Sequence, residues 1–371
     1  MEVNSTPVNK LTRGGMTAVT IPLEGCYEHY LSLDLTRGGE SSLERIETFL
    51  KEHGAKALLA LSFGGVSSGE AMPAVLRKLA LPVMRLDHDD RKHFPLTGVQ
   101  IFAVSGCAVR ELKAGGTTAG YAFNAGGTEY AYLSNLGPAG AAASQKEQVR
   151  ETYENMLAAL EQANMDFSHV ARTWFYLDRL LEWYKEFNEA RTGFMSGKGV
   201  FQRFSPASTG IGACNPAGTF LSVSAFAVKP SEGEAVFKVV SPLQCEALKY
   251  KSAFSRAVEI HSGNLRRLLI SGTASIAPDG ASVHTGDVEK QIQKTMEVVK
   301  AILDSRGMGW ENVARSIIYF KEEKHLPLFS KYCREAGIPE LPGVPAFTTV
   351  CRGELLFEIE LDAVSADKRG F

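Results

Sequence analysis

The sequence predicts an α+β protein built largely from two copies of one unit, and three observations carry that expectation. Sliding the chain along itself at an offset of 143 lays residues 148–191 on 291–334 without a gap, with eleven identities in 44 positions. Each copy passes from a helical apolar stripe through a β-rich run into a second helix. Each then ends, at an offset of 136–137, in a strand that closes on the same Ala-Val, 227–228 and 363–364. A mixed sheet with two helices on one face is the arrangement that buries such elements.

Residues 1–110 do not join the repeat and read as an N-terminal α/β portion. They offer a helix-like run at 42–53, a buried strand AKALLALSF at 55–63, a second helix-like run at 69–79 and strands near 82–86 and 98–104. Gly64-Gly65 lacks the GxGxxG and GxxxxGK[ST] spacings that cradle phosphate, so a plain turn is the expectation there.

The first repeat unit covers 111–230. It opens with a strand and a Gly/Pro turn, EYAYLSNLGPAG (129–140), followed by an amphipathic helix whose apolar face is Val149, Tyr153, Met156, Leu157 and Leu160. The strand ARTWFYL and a helix at 180–191 come next, and the unit ends in the strand containing Leu221-Ser222-Val223-Ser224. Residues 231–249 read as a connection. The second unit, 250–371, repeats the order: RRLLISGTASIAPDG (266–280), a helix with Ile292, Met296, Val299, Ile302 and Leu303 on one face, ARSIIYF, and a helix at 325–336. Gly337 with Pro339 just beyond is a normal helix exit.

With 371 residues, 40 Lys+Arg and 42 Asp+Glu, the net charge is −2, which gives no electrostatic reason to expect nucleic acid or an anionic membrane as a partner. The six cysteines are scattered without a CxxC, as reduced thiols in a cytoplasmic protein would be. No signal-peptide core and no stretch near the roughly 20 apolar residues of a membrane span is present.

Chemistry is concentrated in the last strand, GELLFEIELDAV (353–364), where Leu355, Phe357, Ile359, Leu361 and Ala363 alternate with Leu356, Glu358, Glu360 and Asp362. A solvated acidic face is one reading. The other is a partly enclosed carboxyl, because the matching positions of the first unit are Ser222 and Ser224, and Leu356 adjoins Glu358. A carboxyl in an apolar cleft holds its proton at neutral pH, as a general acid must. Glu358 is therefore the candidate catalytic residue. His88 in LDHDD (86–90), with His93 beyond, imitates ligand spacing inside a charged run that reads as a solvated loop, and no metal site is expected. There is no GxSxG. Cys351, seven residues before Glu358, is by itself more often a small core residue than a nucleophile. Arg172 and Arg315 recur in both units, which argues for a structural role.

ISGTASIAPDG, VARSIIYF and FEIELDAV together resemble the RidA/YjgF superfamily, whose chorismate-mutase-like units form trimers with active sites at the interfaces. The simplest members hydrolyse enamines and imines with an arginine shortly before the final strand. The corresponding stretch here, PGVPAFTTV (342–350), has none. HVARTWFYL (169–177), SPASTGIGA (205–213), LLISGTASI (268–276), VHTGDVEKQ (283–291) and CRGELLFEIE (351–360) resemble the chorismatase branch more closely. That branch fuses two RidA-like units behind an N-terminal portion.

The resemblance implies a cofactor-free cleavage of the enolpyruvyl ether of chorismate. A glutamic acid matching Glu358 protonates the enol methylene carbon, giving an oxocarbenium ion. In one branch water then yields pyruvate and a dihydroxycyclohexadiene acid. In the other a ring hydroxyl attacks internally and the product aromatises to 3-hydroxybenzoate. A Gly in the ISxTA motif and a Cys seven residues before the glutamate mark the second branch, and Gly272 and Cys351 occupy those positions.

Two substrate carboxylates call for an Arg clamp. Arg256 in AFSRAV resembles a family segment near the substrate, with Tyr250 upstream as a hydroxyl donor, although the spacing between them is shorter here. Thr209, Gly210 and Gly212 form either a loop that offers N–H groups to a carboxylate or a tight turn. The expected partner is a small-molecule carboxylate, and the expected assembly a trimer or pseudo-trimer. An imine deaminase and a non-catalytic carboxylate-binding protein are the alternatives.

Overall fold

One strand order recurs three times along the chain. The computed structural model describes residues 8–65, 71–79, 81–90, 94–198, 205–230, 236–250 and 252–367. The first unit holds β1 (Asn9–Arg13), β2 (Met16–Leu23), β3 (Cys26–Asp34), α1 (Leu35–Gly38), α2 (Glu44–Glu52), β4 (Lys56–Phe63), α3 (Ala74–Arg77), β5 (Val83–His88) and β6 (Gly98–Ser105). The middle unit holds β7 (Val109–Ala114), β8 (Thr117–Ala125), β9 (Thr128–Leu136), α4 (Gln145–Gln162), β10 (Val170–Leu177), α5 (Leu180–Gly197), β11 (Ala207–Cys214) and β12 (Leu221–Lys229). The third holds β13 (Val236–Val239), β14 (Ala257–Ser262), β15 (Leu265–Ala274), α6 (Val288–Ser305), β16 (Val313–Phe320), α7 (Leu326–Glu335), β17 (Gly343–Phe347) and β18 (Phe357–Ala366).

The sheets run β1-β2-β3-β6-β4-β5, β7-β8-β9-β12-β10-β11 and β13-β14-β15-β18-β16-β17. Within each, one pair is parallel, β4 with β5, β10 with β11 and β16 with β17, and the helix between the two strands, α3, α5 or α7, lies in that crossover. This corrects the sequence expectation in three places. Residues 1–110 are not a different kind of α/β portion but a third copy of the topology, whose residues have diverged too far for self-alignment to find. Residues 231–249 are more than a connection, since they contain β13, paired to β14. The two repeat units, each expected as strand, strand, helix, strand, helix, strand, also have one more strand at the start and one more, β11 or β17, after the second helix.

Local chemistry sets the helix bounds. Ser144 and Asp287 cap α4 and α6 by accepting the N–H of Glu147 and Lys290. At the end of α7 the chain turns out at Gly337, φ 66°, and the Ile338 N–H returns to the Cys333 carbonyl at 2.9 Å. The apolar faces read from the sequence are the buried ones, with Val149, Tyr153, Met156 and Leu160 under α4 and Ile292, Met296, Val299, Ile302 and Leu303 under α6.

Each helix pair covers the outer face of its sheet with an apolar layer, while the inner faces of the three sheets meet in a shared central core. The units close in a cycle: β5 packs on β9, β11 on β15, and β17 on β3. β5 also pairs with the end of β11, Ala213 opposite His88, which joins two sheets into one of twelve strands. Among the described residues no helix is long and apolar enough to cross a membrane.

Candidate active site

The inner faces of the sheets carry charge, and β18 carries the most. Phe357, Ile359, Leu361 and Ala363 point into the helix layer, which sends Glu358, Glu360 and Asp362 into the centre of the molecule. All three are buried, with Glu358 only 4% exposed, so the acidic face is not a solvated one. The register agrees with the repeat. Tyr319 of β16 sits opposite Glu358, and its equivalent in β10, Tyr176, sits opposite Ser222.

The two glutamates live in different surroundings. Glu360 takes Arg172 at 2.6 Å, Arg315 at 2.5 Å and the Trp174 indole N–H at 2.7 Å, and it accepts from the Thr209 hydroxyl. Burial alone would raise its pKa, yet the two guanidinium groups and the two hydrogen bonds hold it below the usual glutamate range, so it stays ionised. Arg315 Nε also reaches Asp362 at 3.0 Å. The recurring arginines are thus pillars of the core, and Arg172 crosses from the middle unit to the third.

Glu358, two residues away, is pushed up to about 8. Burial is the main cause and the negative Glu360 the second, only partly offset by Arg172 and Arg256. It therefore carries a proton at neutral pH. One carboxyl is fixed as an anion and its neighbour is kept as an acid, the divergence that separates roles in acid–base sites.

A narrow cleft opens over Glu358 where the middle and third units meet. Gly210, Ser208, Tyr184 and Arg191 come from the middle unit; Arg256, Gly272 and Cys351 come from the third. Gly272 lies at a break in the β15–β18 ladder, between Ile270 and Thr273. A Cβ there would run into the Glu358 carboxylate and stand 3.1 Å from Thr209 Cγ2. Arg256 is buried, with Nε donating to the Cys245 carbonyl at 2.9 Å and the guanidinium 5.5 Å from the Phe254 ring centre. Burial, and secondarily the adjacent Glu358, pushes the Cys351 thiol up to about 12, which makes it a poor nucleophile near neutrality.

Five of the seven sequence-chosen residues, Glu358, Cys351, Gly272, Arg256 and Gly210, line this cleft. Thr209 stands just behind it. Its hydroxyl accepts from Arg172 at 3.0 Å and from the Gly272 N–H at 3.1 Å while donating to Glu360, so it braces the site. The side chain of Tyr250 lies outside the described residues, as does His93. The expected loop or tight turn at Thr209, Gly210 and Gly212 is corrected: all three belong to β11, a strand paired along β10. Among the described residues no group of three or more His, Cys, Asp or Glu side chains is placed to hold a metal.

Tyr184 and Arg191 escaped sequence reasoning. They share a face of α5 with Asn188 at i, i+4 and i+7, a spacing indistinguishable in sequence from core packing. A roomier hollow of about 680 Å³ lies between α4 and α5 near Trp183 and Phe194, but its charged residues Arg150, Glu186 and Glu189 are exposed. The buried acid belongs to the narrow cleft.

Fold and site together define an α+β protein of three units of one topology, with a buried carboxyl of raised pKa at one unit boundary. Comparison with known proteins points to a particular branch. Residues 111–227 match the family model described as chorismatase FkbO/Hyg5-like, N-terminal. A 3-hydroxybenzoate synthase of Streptomyces hygroscopicus is 26% identical over 242 residues, 58% of this chain and 68% of that protein. A chorismatase of Streptomyces rapamycinicus is 25% identical over 221 residues, 53% of this chain and 64% of that protein, so the match spans about two thirds of each relative. A crystal structure of a chorismatase shares the fold, with a TM-score of 0.64 at 19% identity over 92% of this chain and 99% of that one. The resemblance read from the sequence motifs is thus found again by the family model and the curated relatives, and the solved structure shares the fold.

Proposed function

We propose that this protein cleaves chorismate to pyruvate and 3-hydroxybenzoate, with Glu358 as the proton donor. The observation that carries the proposal is the buried, protonated Glu358 beside the ionised Glu360 in a cleft lined by three arginines, Arg191, Arg256 and Arg352. The similarity to a 3-hydroxybenzoate synthase and to chorismatases supplies the substrate class.

Glu358 gives its proton to the enol methylene carbon, whose π pair becomes the new C–H bond. The carbon attached to the ether oxygen becomes an oxocarbenium ion, and the Glu358 carboxylate left behind lies beside it as counter-charge. The neighbouring ring hydroxyl then attacks the ring carbon that bears the ether, whose C–O bond breaks so that pyruvate departs as the keto acid; the epoxide so formed opens at its other C–O bond, leaving oxygen on the former ether carbon, and loss of that carbon's proton makes the product aromatic. That proton restores Glu358, so the cycle consumes no net acid and no water. Gly272 and Cys351 flank the acid, and the family resemblance associates residues of these types at these positions with the aromatising outcome. Arg256, close enough to Glu358 to lower its pKa, holds the carboxylate next to the protonated carbon.

The test is incubation of the purified protein with chorismate, followed by chromatography of the products. Equal amounts of pyruvate and 3-hydroxybenzoate support the proposal. A dihydroxycyclohexadiene acid would move the protein to the hydrolytic branch, and an intact substrate would end the proposal.

A further inference from the structure

The boundary between the third and first units keeps a hollow at the place that corresponds to the Glu358 cleft. Three alignments establish the correspondence. The offset of 143 that relates the middle and third units sets Arg191 on Arg334. Strand register sets Ser208 and Gly210 on Gly343 and Pro345, because Thr173 and Phe175 of β10 oppose the first pair as Ser316 and Ile318 of β16 oppose the second. The hairpins β14–β15 and β2–β3 align at an offset of 239, since Ser262 opposes Leu265 as Leu23 opposes Cys26, and this sets Phe254, Arg256 and Ile276 on Gly15, Thr17 and Arg37. The six residues so reached, from two units, line one hollow of about 380 Å³.

The exchanges at these positions remove the chemistry and keep a means of recognition. Gly98 stands where Glu358 would, and a Cβ there would meet Val344 at 2.9 Å, so no acid has room. Thr17 replaces Arg256. Arg37 is new at its position and is held by Asp34 at 3.2 Å and by Glu340 at 2.6 Å. Arg334 is retained from the pattern of the Glu358 cleft, is open to solvent, and its guanidinium has no ion-pair or hydrogen-bond partner among the described residues. Between these polar groups the wall is apolar, with Ile318, Leu326, Phe329 and Ile338. A hollow of this size with apolar walls and one uncommitted cation suits a flat ring bearing one negative charge. Asp34 and Glu340 together outweigh Arg37 by one charge, which disfavours a second carboxylate on the ligand.

We propose that this hollow is a second, non-catalytic ligand site that takes an aromatic monocarboxylate, with the ring against Phe329 and Ile338 and the carboxylate on Arg334. The site stands whether or not the Glu358 cleft turns over chorismate, because none of its residues belongs to that cleft.

The test is a titration of the full chain, carrying ¹³C-labelled isoleucine methyl groups, with benzoate, benzyl alcohol and isophthalate. Ile318 and Ile338 line the hollow and Ile276 lines the Glu358 cleft, so each site has its own reporter. Benzoate shifts the Ile338 and Ile318 methyl signals saturably, and at least about tenfold more tightly than benzyl alcohol, the scale of a charge-assisted hydrogen-bonded pair. Isophthalate, with its second carboxylate, binds there more weakly than benzoate. R334E, an exchange at an exposed position, abolishes the saturable shift of Ile338 and leaves the melting temperature and the response of Ile276 as in wild type, while R334K keeps part of the Ile338 response. An Ile338 signal that benzoate does not move, that benzyl alcohol or isophthalate moves as tightly, or that still responds in R334E overturns the proposal. Loss of the Ile276 response in R334E would also overturn it, since the two sites would then not be separate.

Discussion

Glu358 owes its chemistry to its neighbours. A carboxyl held near 8 is protonated below that pH and ionised above it, so a rate that depends on the acid form is full at pH 6–7 and falls on the alkaline side. The pH profile of kcat/KM is therefore expected to show a descending limb near pH 8; a rate still rising there would exclude Glu358 as the acid. G272A places a methyl group against the carboxylate, and we expect at least a tenfold loss of kcat with a small change in melting temperature. Glu358 was legible in the sequence because the alternation of the last strand and the serines at the matching positions single it out. Arg191 was not, because one more polar residue on an amphipathic helix carries no signal of its depth. The raised pKa was legible as a consequence of enclosure, but the second contribution, from Glu360 held ionised by Arg172 of another unit, was not.

At the scale of elements, β18 is fixed from both sides of the unit boundary. Glu360 binds Arg315 from β16 of its own sheet and Arg172, Trp174 and Thr209 from β10 and β11 of the middle unit. Replacing it by Gln leaves two buried guanidinium groups short of an anion, for an expected loss of about 3–5 kcal/mol in urea unfolding. E360Q also removes the negative charge that raises Glu358, so the alkaline limb should move to lower pH in the same variant. An unmoved limb would mean that burial alone sets the acid. The strand β11 shows why composition can mislead. Its Thr and Gly residues suggest a turn, yet a Cβ on Gly212 would meet Thr349 Cβ at 2.9 Å and the Asp89 carboxylate even closer, so the glycine permits close approach between units rather than a bend.

For the whole molecule, three copies of one topology close into a ring with three related boundaries, and of the three equivalent strands β6, β12 and β18 only β18 carries carboxyls on its inner face. On the strands that take the place of β18, Gly98 begins the inner face of β6 and Ser222 that of β12. A Cβ on Gly98 would meet Val344 of β17 at 2.9 Å, so at that boundary the position equivalent to Glu358 is filled by the neighbouring unit. The helix-layer patterns made two units readable, whereas the first unit kept the strand order and lost the residues. Because both walls of the cleft come from one chain, specific activity is expected to stay constant on dilution to nanomolar protein; a fall would show that a second copy completes the site. The most direct measurement is the turnover of chorismate by wild type and by E358Q, both checked for an intact fold by melting temperature. Wild type should release pyruvate and 3-hydroxybenzoate in equal amounts, and E358Q should be about 10²–10⁴-fold slower in kcat, the usual contribution of a general acid. A wild type that leaves chorismate untouched, or an E358Q variant that matches it, would contradict the assignment of Glu358 as the proton donor.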